Sequence, residues 1–431
     1  MTYEAALQYL YTQLPMFSRI GAAAYKKDIH NTIAFCKILG NPHKKFKSIH
    51  IAGTNGKGST SHMLAAILQQ QGYKTGLYTS PHIKNFGERI RINGEMIDPQ
   101  FVIDFTEKTK LICKDIKPSF FELTVAMAFD YFALHKVDIA VIETGLGGRL
   151  DSTNIIDPVL SVITNIGYDH MNLLGNTLED ISFEKAGIIK IDTPTVVGEY
   201  LPETKPIFEK KADEMNSPVL FAEDVYEITQ INNNHSSLTC EITDKNNNQS
   251  TTLSLDLTGN FQLRNLRTVF AAQKQLATLG FPVHEDNLKK GLAQVKKLTG
   301  LKGRWELISE KPWVIQDVAH NKDGIRMVLN QLKENYPLSD IHFVLGFVND
   351  KDITSIFEIL PATANYYFTN AHIERALSHE SLKSMALKFN LTGESFDDVN
   401  DAIAQAKKNT KENDVIVVCG SFFILAEIKG D

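Results

Sequence analysis

Residues 49–63 read IHIAGTNGKGSTSHM, and their types and spacing suit the holding of phosphate. A short apolar strand runs into GTNGKGS and a helical pattern begins at once. Glycines let backbone N–H groups turn toward an anion with no Cβ in the way. A helix start adds exposed N–H groups and partial positive charge. Lys57 has the reach for the outer phosphates of ATP, and Ser59 offers a hydroxyl to Mg²⁺. Gly53, Thr54, Asn55, Gly56, Lys57, Gly58 and Ser59 are therefore the candidate ATP-binding loop, with Lys57 catalytic and Ser59 a metal ligand. The spacing departs from the common GxxxxGK(S/T) pattern, because Ile51 stands where the first glycine would be.

A second constellation is VIETGLGGRLDSTN, in which Glu143 ends the apolar run VDIAVIE. An α/β sheet binds ligands just beyond the carboxyl ends of its strands. Glu143 is thereby expected beside the phosphate loop, as a Mg²⁺ ligand should be. The next strand ends in ITNIGYDHMNLLG, which puts Asp169 and His170 on the same rim. Taken singly, such a Glu reads equally well as a solvated loop carboxylate, and such a His as a plain surface residue. Their convergence on one rim favours a site.

These groups need a sheet to position them. KSIHIA, GYKTGLYTS, VDIAVIETG, LSVITNIG and TPTVVGEY are strand-like, and STSHMLAAILQQQG and ELTVAMAFDYFALHK between them are helical. Apolar runs alternating with helices imply a parallel α/β sheet covered on both faces. Residues 219–258 differ: VYEITQI, SSLTCEIT and TTLSLDL alternate in period two between asparagine-rich turns, which predicts a small antiparallel β ribbon. The long helix QLRNLRTVFAAQKQLATLG follows, and KKLTGLKG, residues 296–303, reads as a linker. WVIQDV, IHFVLGF, NYYFTN and DVIVVCG then supply the strands of a second α/β unit. The expected division is 1–298 and 299–431.

A length of 431 residues suits two or three domains. The formal net charge of -6 argues against a nucleic-acid surface, which needs a dense basic face. No run approaches a membrane span, the N-terminus lacks the pattern of a signal peptide, and Cys36, Cys113, Cys240 and Cys419 lie far apart. The expectation is a cytoplasmic protein with reduced thiols and no zinc site, membrane or nucleic-acid partner.

GTNGKGS, YTSPH, ETGLGGRLDSTN, DHMNLLG and FEKAGIIK, in this order, resemble the folylpolyglutamate synthases, often bifunctional with dihydrofolate synthase, of the Mur ligase superfamily. The resemblance runs from the N-terminal helix to GSFF near the C-terminus, and TSPH and GLGGRLD belong to the folate branch. It implies an α/β chain with a phosphate-loop N-terminal domain and a Rossmann-like C-terminal domain, the active site lying between. It implies a mostly monomeric enzyme. The carboxyl group of dihydropteroate or a reduced folate attacks the γ-phosphate of ATP. L-Glutamate then attacks the acyl phosphate, forming an amide and releasing phosphate.

Carried over by position, the resemblance makes Ser59, Ser80 of TSPH, Glu143 and His170 Mg²⁺ ligands in a site for two ions. His170 and Lys185 join Lys57 as catalytic residues, and Lys185 of FEKAGI is the lysine the family carbamylates. Gln262, Asn265, Arg304, Asp317 and His320 are placed on ATP, where Arg304 would clamp the two domains on the nucleotide. Ser119, Phe120, Phe121, Glu122, Leu150, Asp151 and Ser152 are placed on folate. Phe120 and Phe121 would stack on the pterin, and Glu122 or Asp151 would accept from its N–H edge, although an aromatic pair on a helix is more often core. The RIGAAAY stretch, residues 19–25, is expected to close the same pocket. Val318 stands where the family often has Gly.

Two other readings remain open at this level. One is a cell-wall Mur-type amino acid ligase, against which TSPH and GLGGRLDSTN argue. The other is a nucleotide-binding switch, which needs neither a pterin pocket nor a second ATP-contacting domain.

Overall fold

The structure is a computed structural model and describes residues 1–21, 26 and 28–429, without the side chains of residues 18 and 20. Residues 22–25 of the RIGAAAY stretch lie outside the described residues. The chain forms two compact units: Met1–Asp256 with Gln262–Leu301, and Leu257–Phe261 with Lys302–Asp431.

The first unit is built on eight strands: β1 (Lys47–Ala52), β2 (Thr75–Tyr78), β3 (Ile90–Ile92), β4 (Glu95–Met96), β5 (Ile139–Glu143), β6 (Leu160–Ile163), β7 (Thr195–Val197) and β8 (Val219–Phe221). Their order across the sheet is β4-β3-β2-β5-β1-β6-β7-β8. The six from β2 to β8 in that order are parallel, and β3 and β4 add an antiparallel edge. β1, β2, β5, β6 and β7 are almost wholly buried, as strands covered on both faces must be. The helix Phe120–Leu134 contributes Leu123, Val125, Met127, Phe129 and Phe132 to the core beside β2 and β5.

The ribbon is three-stranded and antiparallel, β11-β10-β9, from β9 (Tyr226–Asn233), β10 (Leu238–Asp244) and β11 (Gln249–Leu255). It begins later than the expected residue 219. Val219–Phe221 instead pairs parallel with β7 and extends the main sheet. A three-residue strand is too short for its pairing partner to show in its own pattern.

The second unit has the order β12-β13-β17-β14-β15-β16, from β12 (Glu306–Glu310), β13 (Trp313–Gln316), β14 (Ile341–Leu345), β15 (Asn365–Phe368), β16 (Gly393–Ser395) and β17 (Val415–Cys419). All pairings are parallel except that of the edge strand β12. Helices Lys322–Asn335, His379–Leu387 and Val399–Asn409 supply apolar faces to this sheet. The short excursion Leu257–Phe261 belongs here: the Asn260 amide donates to Gln331 Oε1 at 2.5 Å, and Gln331 Nε2 donates to the Thr258 carbonyl at 3.2 Å.

Candidate active site

Four parallel strands in the order β2-β5-β1-β6 carry their ends to one rim of the first unit. Ser80 follows β2, Glu143 ends β5, the GTNGKGS loop follows β1, and Thr164 to His170 follow β6. The register pairs Ile51 with Glu143, so the carboxylate stands beside the strand that delivers the loop.

The loop turns at Gly53, with φ of 150°, and at Gly56, with φ of 81°, before the helix Lys57–Gln71 begins. A Cβ on Gly53 would stand 1.8 Å from Thr164 Oγ1, and one on Gly56 would stand 2.1 Å from Asn265 Oδ1. Only glycine fits at either point. The segment after β6 braces the loop. The Thr54 amide donates to the Asn165 carbonyl at 3.0 Å and the Asn55 amide to Asn165 Oδ1 at 2.9 Å. Thr164 Oγ1 donates to the Asn55 carbonyl at 2.6 Å. Sequence reasoning missed Thr164 and Asn165. Their signal was a Thr-Asn pair directly after the apolar run LSVI.

Lys57 is folded back on its own loop, its Nζ donating to the carbonyls of Gly53 at 3.0 Å and Thr54 at 3.2 Å. Lys185, from the helix Leu178–Ala186, is buried and donates to the same Gly53 carbonyl at 2.9 Å. Burial first and the neighbouring Lys57 charge second lower its pKa to about 7, against the pull of Asp169 and Asp151.

Gln262 and Asn265 begin the helix Gln262–Thr278 and meet the phosphate loop itself. Gln262 Nε2 donates to Ser59 Oγ at 3.2 Å, and Asn265 Nδ2 donates to Gln262 Oε1 at 2.8 Å. Of the expected metal ligands, the structure pairs Ser80 with Glu143, whose Oε2 accepts from the Ser80 amide at 3.2 Å. Glu143 is buried, and with the Ser59 and Ser80 hydroxyls it offers the hard oxygen donors that suit Mg²⁺. His170 adopts φ of 51° and packs edge-on to Phe17 at 5.7 Å, with Nε2 3.8 Å from Asp169 Oδ2. Among the described residues no group of three or more His, Cys, Asp or Glu is arranged to hold a metal ion.

The residues expected on folate divide by role. Ser119 caps the helix Phe120–Leu134, and its amide donates to Glu122 Oε2 at 2.6 Å in a reciprocal capping box. Phe120 is a correction: it is buried in the core against Tyr11 and Phe86 and is not open to stack on a pterin. Its neighbour Phe121 is half-buried and lies over the loop after β5, where a Cβ on Gly145 would come within 2.4 Å of its ring. The two carboxylates also separate. Asp151 Oδ2 accepts from the amides of Gly145 at 2.9 Å and Leu146 at 2.8 Å. Its Oδ1 accepts from the Thr153 amide at 2.9 Å and hydroxyl at 2.5 Å. Burial pushes the Asp151 carboxyl up while these donors hold it down. With both oxygens committed to its own loop, this side chain does not meet the expected role of accepting from a pterin edge. Glu122 differs: its Oε1 is buried and has no hydrogen-bond partner among the described residues. Leu150 and Ser152 flank Asp151 on the loop.

Within the second unit, Arg304, Asp317 and His320 come together. Arg304 lies over the Phe422 ring at 5.2 Å, and His320 packs against the same ring at 6.1 Å. His320 Nδ1 lies 2.9 Å from the Val318 carbonyl, which only accepts, so Nδ1 carries a proton and donates. Asp317 accepts from the amides of Trp305 at 2.7 Å and Ala319 at 2.8 Å. Burial raises its pKa, opposed by Arg304. Phe422 was quoted within GSFF but given no role by sequence reasoning.

Residues 51–273 match the Mur ligase middle domain and residues 303–422 the Mur ligase, glutamate ligase domain. The chain is 32% identical over 409 residues to the dihydrofolate synthase/folylpolyglutamate synthase of Bacillus subtilis, covering 91% of each chain. It is 33% identical over 387 residues to the Escherichia coli protein of the same name, covering 88% of this chain and 85% of that one. Escherichia coli FolC in complex with DHPP and ADP superposes with a TM-score of 0.86 at 29% identity, over 99% of this chain and 96% of that one. Mycobacterium tuberculosis folylpolyglutamate synthase complexed with ADP and AMPPCP gives 0.86 at 28% identity, over 99% and 98%.

Proposed function

This chain belongs to the folylpolyglutamate synthase/dihydrofolate synthase family of Mur ligases, and on that premise we propose that it uses ATP to join L-glutamate to a pteroyl carboxylate. The acceptor is dihydropteroate, a reduced folate, or both. The observation that carries this reading is the shared rim: a glycine-turned loop with Lys57 and Lys185 on one carbonyl, beside the buried carboxylate of Glu143. The relatives support the substrate classes, one having been solved with DHPP and ADP and another with ADP and AMPPCP.

In this reading a pteroyl carboxylate oxygen attacks the γ-phosphorus of ATP and ADP leaves. The amine of glutamate then attacks the acyl carbon, phosphate departs, and the ammonium proton passes to solvent or a nearby base. Phosphate activation is needed because a carboxylate is a poor acyl donor. Lys57 exchanges its two carbonyl partners for the phosphates and neutralises their charge. The amides of the loop and the start of the helix Lys57–Gln71 cradle the same phosphates. Glu143 with the hydroxyls of Ser59 and Ser80 would hold Mg²⁺, which when bound would neutralise phosphate charge. Lys185, held near its neutral form, is suited to react with CO₂ and become an anionic carbamate. Phe121 and Glu122, with the loop Leu150–Ser152, hold the pterin. Gln262, Asn265, Arg304, Asp317 and His320 contact the nucleotide. The chain acts as a monomer in the cytoplasm.

The test is phosphate release from ATP with Mg²⁺ and L-glutamate, run with dihydropteroate, with tetrahydrofolate and with no acceptor. Release that requires glutamate and an acceptor supports the reading, and the acceptors that work define the specificity. Release indifferent to both glutamate and acceptor would overturn it.

A further inference from the structure

His50 is wholly buried in β1, three residues before Gly53, and the reaction above makes no use of it. Its Nε2 lies 2.8 Å from Thr153 Oγ1. Thr153 Oγ1 in turn donates to Asp151 Oδ1 at 2.5 Å. A hydroxyl has one proton to give, and Thr153 gives its own to Asp151. The proton between His50 and Thr153 must therefore sit on His50 Nε2. The other ring nitrogen, Nδ1, is buried with no hydrogen-bond partner among the described residues, which fits a bare nitrogen rather than an N–H. Burial lowers the His50 pKa to about 3, with Lys190 pushing the same way, so the ring is neutral. The result is a one-way relay, His50 Nε2–H to Thr153 O–H to Asp151. Asp151 then gathers the amides of Gly145 and Leu146, the turn that directly follows Glu143.

We infer that His50 is a positioning residue for the acceptor loop 145–152, acting through Thr153 on Asp151. The relay ties the strand that delivers the phosphate loop to the loop that follows the metal carboxylate. It lets one buried side chain fix the spacing between the attacking carboxylate and the γ-phosphate. The inference rests on the reading of Leu150–Ser152 as part of the pteroyl site.

The test compares His50→Leu, which removes the donor, with His50→Gln, whose amide N–H takes the place of Nε2–H. Thr153→Val and Thr153→Ser form a second pair that loses and keeps the hydroxyl, and they carry the test if His50→Leu does not fold. Amide hydrogen exchange is followed at Gly145 and Leu146 in the full chain, alongside KM for dihydropteroate and for ATP. His50→Leu and Thr153→Val are expected to speed exchange at these amides by about tenfold or more. They are expected to raise the dihydropteroate KM about fivefold, with the ATP KM within about twofold of wild type. His50→Gln and Thr153→Ser should stay near wild type, and the double variant should be no worse than either single loss. Unchanged exchange in the donor-less variants, equal damage from Gln and Leu, or both KM values rising together would overturn the inference. If the wild type turns over tetrahydrofolate but not dihydropteroate, the tetrahydrofolate KM takes its place; turnover of neither would sink the proposed function instead, and the exchange rates would still decide the relay.

Discussion

Lys57 and Lys185 donate to one acceptor, the carbonyl oxygen of Gly53, at 3.0 and 2.9 Å. Two ammonium groups on one oxygen repel, and Lys185 is the buried member of the pair. Its pKa falls from 10.5 to about 7. Between those values the folded chain has released a proton that the unfolded chain keeps. Stability is therefore expected to rise with pH across that window and to lose the slope below it. Urea midpoints from about pH 6 to pH 10 should show this rise in the wild type and a flatter profile in Lys185→Met. Equal slopes in the two proteins would place the proton elsewhere.

The same geometry bears on the carbamate. Only a neutral amine adds CO₂, so a ¹³C carbamate signal at Lys185 in labelled bicarbonate should appear as pH rises through about 7. Lys57→Met removes the repelling charge and should move the onset to higher pH. Persistence of the signal in Lys185→Met would assign it to another amine.

Glu143→Gln keeps the side chain's volume and its place at the end of β5 but removes the charge on the buried carboxylate. The expected result is a loss of about 10²-fold or more in phosphate release, with half-saturation moved to higher Mg²⁺ concentration. An unchanged Mg²⁺ titration would put the ion elsewhere.

Gly53→Ala forces a Cβ to within 1.8 Å of Thr164 Oγ1 at a φ of 150°. The loop must move, at a cost of about 1–3 kcal/mol in stability, and ATP-dependent activity should fall far more than stability does. Thermal unfolding beside phosphate release checks the ratio. Thr164→Ala in the same background relieves the clash and should recover part of the activity.

Phe120, Phe121 and Glu122 are sequence neighbours with opposite expectations. Phe120→Ala should cost about 3–5 kcal/mol as a core truncation, and leave the acceptor KM of the surviving folded protein little changed. Phe121→Ala should cost less stability and raise that KM. Glu122→Gln keeps the volume but changes what the buried Oε1 position offers to an N–H edge, so the acceptor KM should rise here too. A stability assay and acceptor titration on the three variants separate the roles.

How much of this was legible in the chain varies by residue. The loop Gly53–Ser59 was, because strand, glycines, lysine and helix start are contiguous and each constrains its neighbour. Glu143 was, because a lone charge at the end of an apolar strand points to the rim of a parallel sheet. Phe120 was misread: an i, i+1 pair on a helix faces two directions, and nothing local says which one meets the core. Val219–Phe221 was assigned to the ribbon because three residues are too few to carry a pairing signature.

The sequence by itself determined the alternation of strands and helices, the glycine-turned loop and the place of Glu143 at the end of its strand. All of these are set by neighbours along the chain. Only the tertiary structure decided that Lys185 shares a carbonyl with Lys57, that Asn165 braces the loop from 110 positions away, and that Asp151 is committed to its own loop while a buried oxygen of Glu122 has no hydrogen-bond partner among the described residues. The reason is physical. Burial and hydrogen-bond satisfaction belong to groups that meet in space, and a parallel sheet brings together strand ends that its crossovers keep far apart in sequence.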